Sequence, residues 1–378
     1  MTKKIAIIGN GTAGCLTASH FNRYSIDTEI EWYFDPNIKP QAVGEGSLID
    51  LPVDLNASLE FSMSDLYSLD GTIKTGIRKI DWAGVDTFDE NFTFGKHGMH
   101  FNAVQLQDFI LKKLQLEGKI KIIESNVTHN QIDSDHIIDC SGFPRDFSQY
   151  VESEYIPVNS AHVTKCFWDY PKFNHTLTIA RPYGWVFGIP LQNRCAIGYM
   201  YNSNINSLEE IKKDVLNIFD RFNLIPSNET NHLNFKNYYR QQNFSERISY
   251  NGNASLFLEP LEATTLAVVN KNKRLVYDLV YGNISTDILN NIYTNMVNEV
   301  ETIIMLHYFG GSKFNTDFWE FAQDRGSKKI ELMKSSTKFT EFLRQSKQNS
   351  STEHLEFGTW EKTTMYQNIK TYNFYSKI

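Results

Sequence analysis

The sequence lacks the features that would place it in several special classes of protein. Its 378 residues include only four cysteines, Cys15, Cys140, Cys166 and Cys195, which lie far apart and form no C-x-x-C pair. This spacing argues against a disulfide or zinc framework and indicates reduced thiols, so we expect a cytoplasmic protein without a bound metal. No apolar run reaches the roughly 18 residues that a membrane-spanning helix needs, so we expect no membrane partner.

An excess of basic residues is also missing. The net charge is −7 and the pI is near 5.8, with no cluster of lysine and arginine, so nucleic acid is not an expected partner. The amino-terminal apolar stretch breaks at Asn10 and has no small-residue cleavage site, and we interpret it as a strand and not as a signal peptide. A hydrophobic content of 41% predicts an ordinary globular protein with a large core.

A glycine-rich turn follows this first predicted strand. Ile5 to Ile8 has the length of a buried parallel strand, and Gly9–Gly14 follows it in G-x-G-x-x-G spacing before a helical pattern. A strand, glycine turn and helix in this order place backbone N–H groups against a pyrophosphate. The next predicted strand, Thr28 to Phe34, ends at Asp35, near the position expected for an acid that accepts a ribose 2′-hydroxyl. These features predict a Rossmann-type sheet that binds an adenine dinucleotide.

Two further segments have both a structural and a functional interpretation. Val43–Ser47 is a second glycine turn, which is either a plain loop or backbone lying against a cofactor. Residues 71 to 82 alternate as in a strand, with Lys74 on the same face as Gly76 and Arg78. A lysine on a strand is usually solvated, but the small neighbouring glycine leaves room beside Lys74.

The rest of the chain predicts an α/β fold with an inserted antiparallel sheet and a helical carboxyl-terminal part. Helices are predicted over Ala103 to Glu117, from Ser207, and from Ser285 through His307. Strands alternate from Val158 to Tyr201, and the polar, Asn-rich residues 222 to 246 are predicted to form a loop. We expect one unit over 1–310, with insertions at about 70–100 and 158–245, and a helical extension over 311–378.

Acidic and aromatic residues mark a further candidate site. Trp185 and Phe187 share one face of a predicted strand, where core packing is the simpler interpretation. Glu259 and Glu262 flank an apolar Pro-Leu pair, so burial could raise the pKa of either carboxyl, or both could simply favour a helix N-terminus. The free N–H groups of residues 263–265 would form an anion site at that helix start.

Taken together, the motifs make the chain resemble the flavin-dependent halogenases of the tryptophan halogenase family. The matching stretches cover nearly the whole chain to about residue 325. With the family pattern in parentheses, they are Gly9–Gly14 (G-x-G-T-A-G), Val43–Ser47 (V-G-E-A-T), Thr72–Trp82 (T-F-K-x-x-I-x-F-x-x-W), Ile138–Phe143 (I-D-C-S-G-F), Gly184–Pro190 (G-W-x-W-x-I-P) and Phe257–Thr265 (F-x-E-P-L-E-S-T-G). The first motif alone is not specific, whereas the set is.

This resemblance implies a Rossmann-type FAD-binding fold and a specific chemistry. A separate flavin reductase would supply FADH2, O2 would form a flavin hydroperoxide, and halide would give hypohalous acid that travels through a tunnel to Lys74. Glu262 would orient the electrophile or take the ring proton of a small aromatic substrate, and Thr264 and Thr265 would bind halide. The implied cofactor-binding residues are Gly9, Gly11, Thr12, Ala13, Gly14, Asp35, Gly44, Glu45, Asn253 and Leu266, and the implied tunnel residues are Trp185, Phe187 and His100.

The sequence departs from the family pattern at several positions. Phe187 replaces the second tryptophan of G-W-x-W-x-I-P, which leaves a flavin monooxygenase that hydroxylates as an alternative. Ala263-Thr264-Thr265 replaces S-T-G, which would alter halide geometry and favour a larger halide. The chain is short at its carboxyl end, so tryptophan itself is not the expected substrate. A non-catalytic flavin-binding protein and a homo-oligomer both remain open.

Overall fold

A computed structural model describes residues 2–38, 44–93, 95–347 and 356–372. The strands are β1 Lys3–Ile8, β2 Thr28–Phe34, β3 Gly44–Gly46, β4 Thr72–Lys74, β5 Gly76–Ile80, β6 Thr87–Asn91, β7 Gly98–Asn102, β8 Ile120–Glu124, β9 His136–Asp139, β10 Tyr150–Glu152, β11 Ser160–Phe167, β12 Thr176–Arg181, β13 Gly184–Pro190, β14 Arg194–Tyr201, β15 Ile225–Asn234, β16 Tyr238–Arg240, β17 Ile248–Tyr250, β18 Leu256–Phe257, β19 Glu356–Phe357 and β20 Trp360–Glu361. The helices are α1 Thr12–Tyr24, α2 Asp50–Leu59, α3 Ala103–Glu117, α4 Leu208–Phe222, α5 Thr264–Tyr281, α6 Thr286–Gly310, α7 Asp317–Met333, α8 Thr337–Ser346 and α9 Lys362–Tyr372.

A parallel sheet carries the glycine-rich turn. Its strand order is β17-β9-β1-β2-β8, and every neighbouring pair is parallel. The β1 residues Ile5 and Ile7 are fully buried, because both faces of a parallel sheet are covered. The predicted Rossmann-type sheet is therefore confirmed.

A larger, mainly antiparallel sheet packs beside it in the order β15-β11-β14-β13-β12-β5-β6. Strand β5 pairs parallel with β12, so the residues after Lys74 join this sheet. The amphipathic helix α4 begins with a capping box between Ser207 and Glu210, as its sequence predicts, and Ile211 and Val215 pack on the sheet's apolar cluster. The predicted antiparallel sheet is confirmed.

The loop prediction for residues 222–246 is wrong. This segment forms the edge strand β15 and the short strand β16. Strand β15 pairs along one side with β11 and its residues are mostly exposed, so it has no alternation of buried apolar side chains. The strand is held by backbone hydrogen bonds, which do not depend on the type of side chain. The pattern of apolar residues therefore cannot reveal this strand.

The single strand predicted over residues 71–82 is also wrong, because the chain divides it at Thr75. Strand β4 joins a small sheet in the order β3-β7-β4, whereas β5 joins the large sheet. Lys74 is the last residue of β4 and therefore lies at the junction between the two sheets.

The carboxyl-terminal part consists of helices α7 and α8, the short hairpin of β19 and β20, and helix α9. Phe318 and Trp319 are buried at the start of α7 and anchor it to the rest of the protein. Among the described residues, no helix is long and apolar enough to cross a membrane.

Candidate functional site

The three glycines of the G-x-G-x-x-G turn have different surroundings. A Cβ on Gly9 would lie 2.4 Å from Cys140 O, and a Cβ on Gly14 would lie 2.0 Å from Gly9 O. A Cβ on Gly11, in contrast, would meet no protein atom within 4 Å. Two glycines therefore permit close packing within the protein, while Gly11 leaves an open approach to the N-terminus of α1. This is the space that a pyrophosphate needs.

The turn is held by strand β2. Trp32 Nε1 donates to Gly9 O at 2.8 Å, and Gly9 N donates to Tyr33 O at 2.8 Å. Asp35, directly after β2, is partly exposed, and its Oδ1 accepts hydrogen bonds from Asn37 N and Nδ2 at 2.9 and 3.0 Å. Asp35 therefore has the location expected of a ribose acceptor, while its contacts here are local.

The second glycine turn lies beside the first, although Val43 of this motif is outside the described residues. Thr12 Oγ1 donates to Glu45 Oε1 at 3.1 Å and accepts from Gln107 Nε2 at 3.2 Å. Burial raises the pKa of Glu45 to about 7. Asn253 follows Gly252, whose Cβ would lie 2.5 Å from Ala13 Cβ. The predicted cofactor residues of these three segments thus meet at the start of α1, and this geometry fits a flavin dinucleotide.

Lys74 is fully buried at the end of β4. Within the described part of the chain its Nζ has no hydrogen-bond partner, and it lies 5.6 Å from the centroid of the Phe92 ring. Burial lowers the pKa of Lys74 to about 8, although the negative charges of Glu262 and Glu90 act to raise it. An unpaired buried amine is costly for stability, which favours a functional interpretation.

The room beside Lys74 comes from Gly46 and not, as the sequence suggested, from Gly76. A Cβ on Gly46 would lie 3.7 Å from Lys74 Nζ and 3.2 Å from both His100 Cδ2 and Thr176 Oγ1. The missing Cβ of Gly76 faces Glu90 O, at 2.1 Å, and permits strand pairing with β6. The family motif has alanine where this chain has Gly46.

His100 borders the space beside Lys74, and its imidazole ring is neutral. Its Nδ1 lies 3.0 Å from Thr72 Oγ1, which donates its own proton to Pro190 O at 2.8 Å. The Nδ1 atom must therefore carry the hydrogen, and Nε2 accepts from Thr176 Oγ1 at 2.9 Å. Burial, together with the charge of Lys74, holds the pKa of His100 well below its usual range.

Glu262 is buried in a turn before α5, with its two carboxylate oxygens beside different side chains. Its Oε1 lies 2.7 Å from Lys79 Nζ and 3.0 Å from His307 Nε2, and its Oε2 accepts from Trp360 Nε1 at 2.9 Å. Although burial alone would raise the pKa of Glu262, the neighbouring charge of Lys79 holds it well below its usual range. The charge of this carboxylate also raises the pKa of Lys74, which links the two predicted catalytic residues electrostatically.

Lys79 is the central residue that the sequence analysis missed. Its Nζ donates to Glu90 Oε2 at 2.6 Å and to Asn368 Oδ1 at 2.7 Å, and lies 2.9 Å from His307 Nε2. We call Lys79, Glu90, Glu262, His307 and Asn368 the Lys79 cluster. A signal was present in the sequence, because Lys79 stands where the family motif of Thr72–Trp82 has phenylalanine.

The start of helix α5 has the features of an anion site. Glu262 and Ala263 have φ values of 69° and 53°, so the backbone turns through the left-handed region just before Thr264. The first N–H groups of a helix have no partner inside it, and among the described residues Thr264 Oγ1 is also buried without a partner. Of the two residues predicted to bind halide, Thr264 therefore presents an unused donor, and Thr265 follows it in the first turn of α5.

One of the predicted tunnel residues, Trp185, is hydrogen-bonded to Glu259. Trp185 is fully buried and donates from Nε1 to Glu259 Oε2 at 2.9 Å, and Tyr308 donates to the same oxygen at 2.8 Å. The partly buried ring of Phe187 lies 6.3 Å from that of Trp185. Leu266, predicted to contact the cofactor, is buried in the first turn of α5.

Comparison with known proteins identifies the class to which this fold and site belong. The sequence profile described as tryptophan halogenase matches residues 4–128 and 112–370. The chain belongs to the tryptophan halogenase family.

Two curated relatives illustrate the distance within the family. The 7-chloro-L-tryptophan 6-halogenase KtzR of Kutzneria sp. (strain 744) is 24% identical over 221 residues, which cover 54% of this chain and 42% of KtzR. The tryptophan 6-halogenase ThaL of Streptomyces albogriseolus is 25% identical over 268 residues, which cover 62% of this chain and 49% of ThaL. This chain thus spans about half the length of the curated relatives it matches.

Solved structures share the fold over most of the chain. A tryptophan halogenase from Shewanella frigidimarina NCIMB 400 has a TM-score of 0.80 at 17% identity, over 98% of this chain and 88% of that one. BrvH, a flavin-dependent halogenase from Brevundimonas sp. BAL3, has a TM-score of 0.77 at 18% identity, over 99% and 90% of the two chains. These likenesses confirm the predicted fold class.

Proposed function

We propose that this protein is a flavin-dependent halogenase that halogenates an electron-rich aromatic substrate with FADH2, O2 and a halide ion. Its family membership supports the reaction class. The observation that carries the proposal is the Lys74 amine, which is buried, has no partner among the described residues, and has a lowered pKa. A structural lysine would be expected to make an ion pair instead, as Lys79 does.

The cofactor would occupy the region around the start of α1. Bound FADH2 would supply the chemistry that activates O2 and converts halide into hypohalous acid. Gly11 and the free N–H groups of α1 would hold the pyrophosphate, and Asp35 would accept the ribose hydroxyl. The N–H groups at the start of α5, with Thr264 Oγ1, would hold the halide.

Lys74 would receive the halogen as a neutral amine. Its nitrogen lone pair would attack the halogen of the hypohalous acid, and the oxygen–halogen bond would break. The released hydroxide would take one amine proton and leave as water, giving a haloamine. The haloamine would deliver the halogen to the aromatic ring as its nitrogen–halogen bond breaks, and the ring proton lost from the substituted carbon would return to the amine. Because burial lowers the pKa of Lys74 to about 8, about a tenth of the amine would be neutral at pH 7, far more than for an ordinary lysine. A hydrogen bond from Lys74 to the intact acid is the milder form of the same relay.

Glu262 would orient this electrophile through its charge. Its two oxygens already pair with Lys79 and accept from Trp360, so accepting the ring proton would require it to give up part of the ion pair or the indole hydrogen bond. Of the two roles that the resemblance implies, the orienting one fits the structure better. His100 would border the same space with its neutral ring.

The substrate and the partner follow from the same proposal. Phenols and indoles are the class to test, since an electron-rich ring is what an electrophilic halogen attacks, and the relatives named above act on tryptophan or chlorotryptophan. A separate flavin reductase would supply FADH2.

The test supplies the protein with FAD, a flavin reductase and NADH, and offers chloride, bromide or iodide against a panel of phenols and indoles. Mass spectrometry should detect a halogenated product that depends on the halide. Lys74→Met should abolish that product while FAD binding, followed by fluorescence, is retained. Unchanged product formation by Lys74→Met would exclude the Lys74 relay, and the absence of any halide-dependent product would favour a flavin-binding protein without this activity.

A flavin monooxygenase is the second candidate. Phe187 stands where the family motif has a second tryptophan, and its ring is only partly buried. A smaller ring at this position would separate substrate and flavin less completely. Hydroxylated product of the same yield with and without bromide would favour this candidate over halogenation.

A further inference from the structure

Two buried lysines, five residues apart in sequence, have opposite surroundings. Lys74 has no hydrogen-bond partner among the described residues, whereas Lys79 is surrounded by acceptors from four different segments of the chain. These acceptors come from β6, from the turn before α5, from α6 and from α9. The distribution of partners between the two lysines therefore needs a physical explanation.

The Lys79 cluster contains the carboxylates whose charge reaches Lys74. Glu262 and Glu90 both act on Lys74, and both are bound by Lys79, at 2.7 and 2.6 Å. The charge of Lys79 also acts on Lys74 directly and lowers its pKa. The charge of Lys74 in turn lowers the pKa of His100 from β7 and of His175 from the segment before β12. Burial lowers the pKa of both histidines, so they add little positive charge at neutral pH.

We propose that Lys79 is a positioning residue for Lys74, because it pairs with Glu262 and Glu90 and so keeps both carboxylates from pairing with the Lys74 amine. The effect of Lys79 on Lys74 does not depend on the proposed function; only the reason why Lys74 should be an unpaired amine rests on it. The carboxylate Glu262 would otherwise be the natural counter-ion of Lys74, and a lysine paired in this way stays protonated.

The geometry of His307 supports this assignment. Its Nδ1 lies 2.9 Å from Ile303 O and must donate to that carbonyl, so in the neutral ring Nε2 is an acceptor and faces Lys79 Nζ. Burial and the charge of Lys79 lower the pKa of His307. Lys79, and not His307, is therefore the cation that neutralises Glu262. Burial opposes the charge on Lys79, but Glu262 and Glu90 raise its pKa, so it keeps that charge.

The consequence concerns the neutral fraction of Lys74. Each unit by which its pKa rises lowers the neutral fraction about tenfold at a pH below that pKa. Without Lys79, two negative charges would act on Lys74 with no positive charge paired to them. We expect the Lys74 titration to move upward by about one pH unit, the effect of an opposite charge nearby.

The experiment measures this titration directly and needs no halogenation assay. Lysine labelled with 13C at Cε is incorporated, the Lys74 signal is identified by its loss in Lys74→Arg, and its chemical shift is followed against pH. In Lys79→Gln the midpoint should rise by about one unit. Lys79→Arg keeps the charge and should restore the wild-type midpoint, as should the double variant Lys79→Gln with Glu262→Gln, which removes both charges of the pair.

A matched control is available in Lys329, another buried lysine, which donates to Glu301 at 2.6 Å and to Asn298 at 2.6 Å. Lys329→Gln removes the same charge from a different buried pair and should leave the Lys74 midpoint unchanged. An unchanged or lowered midpoint in folded Lys79→Gln would overturn the proposal.

If Lys79→Gln does not fold, Glu262→Gln decides the question. That variant leaves the Lys79 charge less compensated, so the Lys74 midpoint should fall, and a midpoint that stays or rises contradicts the proposal. A wild-type titration as expected, together with no halogenated product, would refute the proposed function and leave this inference standing.

Discussion

Lys79 Nζ and Glu262 Oε1 form a fully buried ion pair at 2.7 Å, which joins strand β5 to the turn before helix α5. The pair is completed from the other end of the chain, since Trp360 Nε1 donates to Glu262 Oε2 and Asn368 accepts from Lys79. A buried ion pair stabilises a protein only if the remaining lone pairs and protons are also satisfied. The carboxyl-terminal hairpin and helix α9 therefore belong to the site.

The indole of Trp360 should contribute to stability through its N–H group. Trp360→Phe leaves Glu262 Oε2 without its donor in a buried site, and we expect a loss of about 1–3 kcal/mol in the free energy of unfolding. Urea denaturation followed by circular dichroism measures this change. Trp319→Phe is the control, because Trp319 Nε1 donates to a neutral carbonyl, Arg181 O, and the loss of that bond should cost less. Equal losses in the two variants would show that the charge of Glu262 has no special part.

The sequence predicted the elements whose patterns are local. Helix α3 has the predicted bounds, because Asn102 caps it through Val104 N and Gly118 ends it with φ at 67°. Strand β2 also has the predicted bounds. In each case a periodic pattern and its end signals lie within one short segment.

The sequence could not predict features that depend on distant segments. Lys79 reads as one more residue of an alternating strand, and only the fold brings it to Glu262, His307 and Asn368. The cysteines Cys166 and Cys195, far apart in sequence, are likewise direct cross-strand neighbours with free thiols. Such pairings follow from strand register, which no local pattern specifies.

Two glycines of the first turn should respond differently to the same substitution. Gly11→Ala places a methyl group in the open space before α1, so it should leave stability unchanged and weaken FAD binding by about tenfold or more. Gly14→Ala places a methyl group 2.0 Å from Gly9 O and should lower the free energy of unfolding by about 1–3 kcal/mol. Flavin fluorescence titration and urea denaturation separate the two effects. The interpretation of Gly11 fails if its alanine variant binds FAD as the wild type does.

Gly46 should set the space available beside Lys74. Gly46→Ala needs shifts of only a few tenths of an ångström in His100 and Thr176, and the family motif carries alanine there, so most halogenating activity should remain. Gly46→Val adds an isopropyl group beside the amine, and a displacement of about 1 Å at a reacting group costs about 100-fold in rate. Product formation in the halogenation assay, with FAD binding measured in parallel, compares the two variants. A valine variant with wild-type activity would show that this space is not used.

Glu259 should make the stability of the protein depend on pH. Burial raises the pKa of Glu259 to about 8 in the folded protein. Between its ordinary pKa and pH 8, the carboxyl is therefore protonated in the folded protein but ionised in the unfolded chain. The free energy of unfolding is therefore highest below the pKa of the unfolded state and falls as the pH rises toward 8. Glu259→Gln keeps an oxygen to accept from Trp185 and Tyr308 but cannot ionise. Relative to wild type, it should therefore gain stability between pH 5 and pH 8, on the order of 3–5 kcal/mol.

Urea denaturation at a series of pH values measures the difference between wild type and Glu259→Gln, with Glu229→Gln on the exposed strand β15 as the control. If the wild-type and Glu259→Gln curves stay parallel across this range, Glu259 is ionised in the folded protein and its contacts with Trp185 and Tyr308 are charge-assisted hydrogen bonds.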